Sequence, residues 1–339
     1  MDDLSFYKNK AILITGATGT IGQHLVKEIL EHSPRVVRIF SRDEHKQFEM
    51  QQKYQQYNNI RYLIGDVRDE KRLLRAMEGI DYVFHLAAMK HVPACEYNPF
   101  EAVKTNVIGT QNVIQSAITA GVQRVLFTST DKAIAPTNTY GATKLTAERL
   151  VSAAQYQKGP KQTVFCSVRF GNVMGSRGSV IPLFKKQILE NRRVTVTHNE
   201  MLRYMMTPSQ AITLMLKANQ MAYGGEVFVL KMPVIKLNDL VEVIIEELSK
   251  KYMIREKIKI EEIGLRPGEK MFEELMIIDE LRVAYETPEM YILPPSFGGT
   301  NMKYDNSKPA EQMIKKPTLY DAINKETLRS WLLVENLLL

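Results

Sequence analysis

Short apolar runs closed by glycine or by polar clusters alternate, over the first half of the chain, with longer segments in which apolar residues recur every three or four positions. Ala11 to Thr15 is the first such run, and Ile21 to Glu31 follows it with Ile21, Leu25 and Ile29 at helical spacing. This reads as strand, tight turn and helix. Val36 to Phe40, Arg61 to Ile64, Tyr82 to Leu86 and Arg124 to Ser129 repeat the strand pattern, each separated from the next by segments of helical period. Repeated strand–helix units predict an α/β fold of the Rossmann type, a doubly wound parallel sheet covered on both faces.

Ala102 to Ala120 and Tyr140 to Tyr156 are the clearest long helices. After Val168 the regularity loosens into the glycine-rich Gly171 to Gly178, the mixed Val194 to Met206 and the turn-rich Gly264 to Lys270. The expected organisation is a dinucleotide-binding domain over residues 1–170, a smaller C-terminal substrate-binding part over 171–300 that is partly interleaved with it, and an extension of unassigned role over 301–339.

The 339 residues are 45% apolar and 24% charged, which supports a large core and excludes a chiefly disordered chain. Lys plus Arg number 45 against 38 Asp plus Glu, a net charge of +7. The basic residues are dispersed among acids, so no nucleic-acid partner is expected; a small anionic substrate accounts for the excess equally well. Cys95 and Cys166 are the only cysteines, too few for a thiolate metal site or a disulfide framework. The histidines lack ligand spacing, and no metal is assigned. No signal peptide and no membrane span is read, and a cytoplasmic location is expected.

Gly16, Gly19 and Gly22 stand between the first strand and the first helix. Glycine admits positive φ and lets backbone amides approach a pyrophosphate at a helix N-terminus. At the end of the second strand, where such folds read the adenosine ribose, Ser41, Arg42 and Lys46 offer donors and positive charge suited to a 2′-phosphate. NADP is favoured, while Asp43 keeps NAD open, and Arg42 and Lys46 also fit ordinary solvated charges. Asp66, in Gly65-Asp66-Val67 after the third strand, suits an adenine edge or a loop cap.

The most specific constellation is Ser129-Thr130-Asp131-Lys132 at a strand end, followed by Tyr140 and Lys144. Four residues apart, the last two share one helical face. A cation beside a phenol lowers its pKa, so Tyr140 can take a hydroxyl proton as the carbon beneath is oxidised.

In order along the chain stand TGATGTIG, FSRDEHKQ, GDVRD, HLAAMKHVP, KTNVIGTQNV, STDKA, YGATK, RFGNVMGSRGSV and GLRPGEKMFEEL. Over residues 8–297 the chain resembles the extended short-chain dehydrogenases/reductases, and within them the soluble UDP-N-acetylglucosamine 4,6-dehydratases of bacterial surface-polysaccharide synthesis. The Asp131-Lys132 pair carries the distinction, because a 4-epimerase has no water to eliminate.

The resemblance implies a tightly bound, recycled NADP and three stages. Tyr140, assisted by Thr130 and Lys144, removes the 4-hydroxyl proton as C4 is oxidised. Lys132, its pKa lowered by desolvation and a nearby nicotinamide, removes the C5 proton while Asp131 protonates the departing 6-hydroxyl. Reduction at C6 completes the cycle.

Cofactor contacts implied are Gly16, Thr18, Gly19, Thr20, Ile21, Gly22, Ser41, Arg42, Lys46, Asp66, Val67, Ala87, Ala88, Lys90, Asn106, Thr128, Ser129, Tyr140, Lys144 and Val173. Contacts implied for UDP-N-acetylglucosamine are Lys90, Asn172, Arg177, Gly178, Ser179, Val180, Thr195, Asn199, Arg203, Arg266 and Glu269. The same resemblance implies a homo-oligomer and C5 inversion to UDP-2-acetamido-2,6-dideoxy-β-L-arabino-hexos-4-ulose. A UDP-sugar 4-epimerase or 4-ketoreductase, and a dehydratase releasing a 5,6-ene, stay open. Taken singly, Glu269 also reads as an acid at the start of a helix, and Cys95 as a buried structural thiol.

Overall fold

Ala11–Thr15 (β1) is buried at every position, as a central strand covered on both faces must be. The computed structural model describes residues 4–265, 268–295, 304–311 and 318–338. In chain order there follow α1 (Thr20–Glu31), β2 (Val36–Ser41), α2 (Glu44–Lys53), β3 (Ile60–Ile64), α3 (Glu70–Met77), β4 (Tyr82–His85), α4 (Val92–Tyr97), α5 (Pro99–Val103), α6 (Gly109–Ala120), β5 (Arg124–Thr128), α7 (Thr139–Gln157) and β6 (Val164–Arg169).

The second half supplies β7 (Asn172–Val173), α8 (Val180–Asn191), β8 (Arg193–Val196), β9 (Leu202–Met206), α9 (Pro208–Met221), β10 (Val227–Leu230), β11 (Val234–Lys236), α10 (Leu237–Lys251), β12 (Lys259–Glu262), α11 (Ile278–Val283), β13 (Tyr285–Glu286), β14 (Met290–Leu293), β15 (Lys308–Pro309) and α12 (Lys325–Val334). The main sheet runs β3-β2-β1-β4-β5-β6-β10 in parallel and is finished by antiparallel β14, β13 and β15. It is the doubly wound α/β sheet that the repeated units predict. Because β1 is flanked by β2 on one side and β4 on the other, the chain reverses direction there and opens a crevice at the strands' carboxyl ends.

Leu25, Val26 and Ile29 of α1 and Ala211, Ile212 and Met215 of α9 cover one face. Leu73 of α3, Val113 and Ala117 of α6 and Val151 of α7 cover the other. A third core joins α8, α10 and α12 beyond the crevice. There Leu328 and Leu332 are fully buried, each worth about 1.5–3 kcal/mol of apolar transfer, which fixes α12 against α10. The chain after α12 packs against the loop after β7, where a Cβ on Gly175 would lie 2.5 Å from Leu337.

The helix expected over Ala102 to Ala120 is a continuous helical run with a fault in it. Lys104–Ile108 forms a π-helical turn between α5 and α6, in which the Gly109 amide donates to the Lys104 carbonyl. One extra residue per turn is a device found mostly at functional sites, and periodicity alone does not announce it. Its middle residue, Asn106, accepts from the Met89 amide at 2.8 Å and donates to the Met89 carbonyl and to Thr143 Oγ1, both at 3.0 Å. The side chain thereby ties the loop after β4 to α7.

Arg169, at the end of β6, is fully buried. It donates to Glu148 of α7 at 3.2 and 2.6 Å, to Glu280 of α11 at 2.8 and 2.9 Å and to the Leu275 carbonyl at 3.0 Å. The carboxylates hold the guanidinium charged against the desolvation that opposes it. Removing one member of such a cluster leaves the others buried and uncompensated, at about 3–5 kcal/mol. Arg169→Ala is therefore expected to lower unfolding free energy by about that amount in urea titrations. A loss within about 0.5 kcal/mol, ordinary for surface positions, contradicts this account.

Candidate functional site

The glycine turn after β1 fits the close backbone approach that its residue types suggest. Gly16 has a φ of 70° and comes so near the loop after β4 that a Cβ would lie 2.8 Å from the Ala87 nitrogen; at Gly22 a Cβ would lie 2.5 Å from Ala17 Cα. No side chain caps the N-terminus of α1, whose cap residue is Gly19. Its amides are thus available to an anion.

A cavity of about 490 Å³ opens over this turn, within the range of small-molecule sites. Gly16, Thr18 to Gly22, Ser41, Arg42, Lys46, Asp66, Val67, Ala87, Ala88 and Lys90 line it, together with Arg177. These include most of the expected cofactor contacts. Asp43, the acid that kept NAD open, accepts the Lys46 amide at 3.0 Å as the N-cap of α2 and pairs with the Lys46 ammonium. Arg42 lies 3.7 Å from Asp66. Arg177 was expected at the substrate, but its guanidinium donates to the Thr18 carbonyl and its amide to Thr20 Oγ1 at 3.1 Å. Burial and the neighbouring Arg177 charge push Lys90 below the ordinary lysine value.

A second cavity, about 240 Å³, is lined by Lys132, Asn138, Asn172, Val173, Gly178, Ser179, Val180, Thr195, Arg203, Glu269 and Glu273 among others. The Ser176–Ser179 loop divides the two cavities, with Ser176 and Arg177 on the first and Gly178 and Ser179 on the second. Of the expected sugar contacts, Lys90 faces the first cavity, Asn199 lines neither, and Arg266 lies outside the described residues. Val173, expected at the cofactor, lines the second cavity. Arg203 reaches the wall but donates to the Leu202, Lys270 and Met271 carbonyls at 2.8–3.0 Å. Glu269 starts no helix: residues 268–277 run as irregular chain.

Asp131 and Lys132 stand in a short 3₁₀ turn after β5. Asp131 is fully buried, and its Oδ1 accepts from Thr130 Oγ1 at 3.0 Å and from Lys132 Nζ at 2.9 Å. Its Oδ2 has no hydrogen-bond partner among the described residues, nor has the buried hydroxyl of Ser129. α7 begins against this turn. Asn138 caps it by accepting the Gly141 amide at 2.9 Å, and a Cβ at Gly141 would collide with the Lys132 carbonyl. Tyr140 is thereby set beside Lys132 and bonded to Thr130.

Two electrostatic expectations are corrected by this arrangement. Lys132 was expected to lose basicity through desolvation and a nearby nicotinamide. Burial does act that way, but Asp131 and Glu273 outweigh it and hold the ammonium above the ordinary lysine value. Tyr140 was expected to be acidified by Lys144. Burial instead raises the phenol, and the cation opposing that rise is Lys132. Lys144 points its Nζ at the Thr128 carbonyl, 2.5 Å away, over the Phe127 ring, and burial pulls it down to about 7.

Two groups hold places to which the sequence reading assigned no role. His85 spans Thr15 Oγ1 at 2.7 Å and Thr110 Oγ1 at 3.0 Å, and burial pushes it down to about 3, so it is neutral. Glu273 lies 3.8 Å from Lys132 Nζ. Its signal was the acid four residues after Glu269 in a motif otherwise read for its first half.

Residues 12–295 match the family described as "Polysaccharide biosynthesis protein". The crystal structure of Pen from Bacillus thuringiensis is 57% identical and superimposes with a TM-score of 0.91, over 98% of this chain and 99% of that one. An uncharacterized protein of Methanocaldococcus jannaschii, named a membrane protein, is 50% identical over 93% of this chain and 96% of its own. An inverting UDP-N-acetylglucosamine 4,6-dehydratase of Campylobacter jejuni is 42% identical over 89% and 87%. A UDP-glucose 4-epimerase of Rickettsia massiliae is 38% identical over 88% and 86%. Among the described residues no helix is long and apolar enough to cross a membrane. On the breadth of these matches, the chain belongs to the polysaccharide biosynthesis protein family.

Proposed function

We propose that the protein is a UDP-N-acetylglucosamine 4,6-dehydratase working in the cytoplasm as a homo-oligomer. The observation that carries this reading is the Asp131–Lys132 pair in contact with Thr130 and Tyr140, an acid and a base beside an oxidation site. The dehydratase relatives support it. The first cavity suits a nicotinamide dinucleotide, which supplies a reversible acceptor for the C4 hydrogen when bound. NADP is the proposed form, because Asp43, which lines the cavity with Ser41 and Arg42, is committed to the α2 cap and to Lys46 and leaves those two to meet a 2′-phosphate.

Tyr140 takes the C4 hydroxyl proton, with Thr130 fixing the phenol. The 4-keto group then acidifies C5–H. Elimination requires Lys132 as free amine and Asp131 as acid, the proton tautomer of their ion pair. The C5 proton goes to Lys132, its electron pair forms the C5–C6 double bond, and the C6–O bond breaks. The oxygen leaves as water with the proton of Asp131. Elimination thus regenerates the Asp131–Lys132 ion pair, 2.9 Å across. Return to C6 of the hydrogen that left C4, with a proton to C5 balancing the one Tyr140 took, would complete the 4-keto-6-deoxy product. Of the proposed sugar contacts, Asn172, Gly178 to Val180, Thr195 and Glu269 wall the space beside Lys132.

Purified protein incubated with UDP-N-acetylglucosamine should yield a product lighter by one water in mass spectrometry. A product of unchanged mass would favour the epimerase. NMR of the product in D₂O then separates C5 inversion from retention and from a 5,6-ene.

Lys132→Ala should cut C5 hydrogen exchange by about 10²–10⁴, the usual worth of a general base, while cofactor absorbance still reports C4 oxidation. Tyr140→Phe should suppress C4 oxidation itself. Wild-type C5 exchange in Lys132→Ala removes the base assignment. For the cofactor, Arg42→Asp should shift binding away from NADP toward NAD by tenfold or more, about 1.4 kcal/mol; an unchanged preference in calorimetry contradicts the 2′-phosphate role.

A further inference from the structure

Glu273 is buried, yet it belongs to no helix or strand and the proposed reaction gives it no role. Its Oε1 lies 3.8 Å from Lys132 Nζ, and its Oε2 has no hydrogen-bond partner among the described residues. A carboxylate taken out of water at such a cost has to be held in place, and this one is. Gly268 accepts from Thr137 Oγ1 at 3.1 Å and from Asn138 Nδ2 at 3.2 Å. Lys270 donates to the Ile134 and Ala135 carbonyls at 3.1 and 2.9 Å. Arg203 holds the carbonyls of Lys270 and Met271, and the Met271 carbonyl also accepts the Leu202 amide at 3.3 Å. The 134–138 loop and β9 therefore brace an irregular segment whose inward-facing acid stands opposite Lys132.

We propose that Glu273 is a positioning residue for the elimination step, a second carboxylate that holds Lys132 Nζ beside Asp131 and sets how many protons the acid–base pair carries. The inference rests on the dehydratase reading. The charged and titratable groups facing the Lys132–Glu273 contact are Asp131 on the turn after β5, Tyr140 on α7, Arg203 on β9 and Lys270 on the same segment. With two carboxylates around one ammonium, Lys132 rests as a cation until substrate and cofactor enter. Burial and Asp131 raise Glu273 while Lys132, Arg203 and Lys270 oppose them, which makes the neutral acid easier to reach than for a solvated glutamate.

The sign of the effect follows from charge. Removing the Glu273 carboxylate removes a negative neighbour, so Lys132 becomes free amine at lower pH. Glu273→Gln should move the pH profile of C5 hydrogen exchange toward acid by about one unit or more. It should also lower the maximal exchange rate by about tenfold or more, because Nζ loses one of its two anchors. Glu273→Asp keeps the charge and should keep the wild-type profile. A merely structural residue would change rate or stability without moving the profile. In the wild-type protein without substrate, NMR of ¹³Cε-labelled lysine should find Lys132 titrating above the ordinary lysine value. If Glu273→Gln fails to fold, this measurement can still overturn the proposal. An unmoved profile in folded Glu273→Gln, or Lys132 titrating below the ordinary value in wild type, overturns the proposal. Failure of wild-type protein to release water from UDP-N-acetylglucosamine overturns the dehydratase reading instead, and the substrate-free titration tells the two apart.

Discussion

Arg169 is a guanidinium with no access to water, and a charge so placed has to collect its counter-charges from whatever packs around it. It takes Glu148 from α7 and Glu280 from α11, so the helix carrying Tyr140 and Lys144 is joined through β6 to the far end of the segment carrying Glu269 and Glu273. Ion pairs of this kind are poor sources of net stability, but their geometry admits few alternatives. The cluster fixes where the phenol can stand relative to the acid that faces Lys132. Asn106 performs a neutral version of the same task between α7 and the loop after β4.

Local pattern carried the parallel units of the first half, because each strand and helix there is specified by its own alternation and punctuated by its own turn. The residues that line the first cavity were legible for a related reason: glycines at a turn and charges at a strand tip act close to where they sit in sequence. Contacts assembled from distant residues were harder to read. Glu273 meets Lys132 across more than a hundred residues, and Glu280 meets Arg169 across 111. Arg203 was implied as a contact to the sugar nucleotide, yet its donors go to backbone carbonyls of a neighbouring segment.

The electrostatic expectations failed for a connected reason. A neighbour in sequence is easily credited with a shift that belongs to a neighbour in space. Lys144 shares a helical face with Tyr140, but its ammonium turns toward the end of β5, and Lys132 is the cation at the phenol. Around Lys132 the count of carboxylates reverses the direction that desolvation alone dictates. The chemistry proposed here therefore begins from a closed ion pair, and proton redistribution within it precedes elimination.

The π turn at Lys104–Ile108 acts as a gear shift between two halves of one helical run. An ordinary α-helix advances by about 100° per residue, so one extra residue rotates everything beyond it by about that angle relative to what came before. α6 turns Val113 and Ala117 into the core from the far side of this offset, while Asn106 at its centre faces the loop after β4. Sequences that gain or lose one residue within this turn would keep the composition of α6 and turn the wrong side of it to the sheet. The segment is thus open to changes of side chain but closed to changes of length.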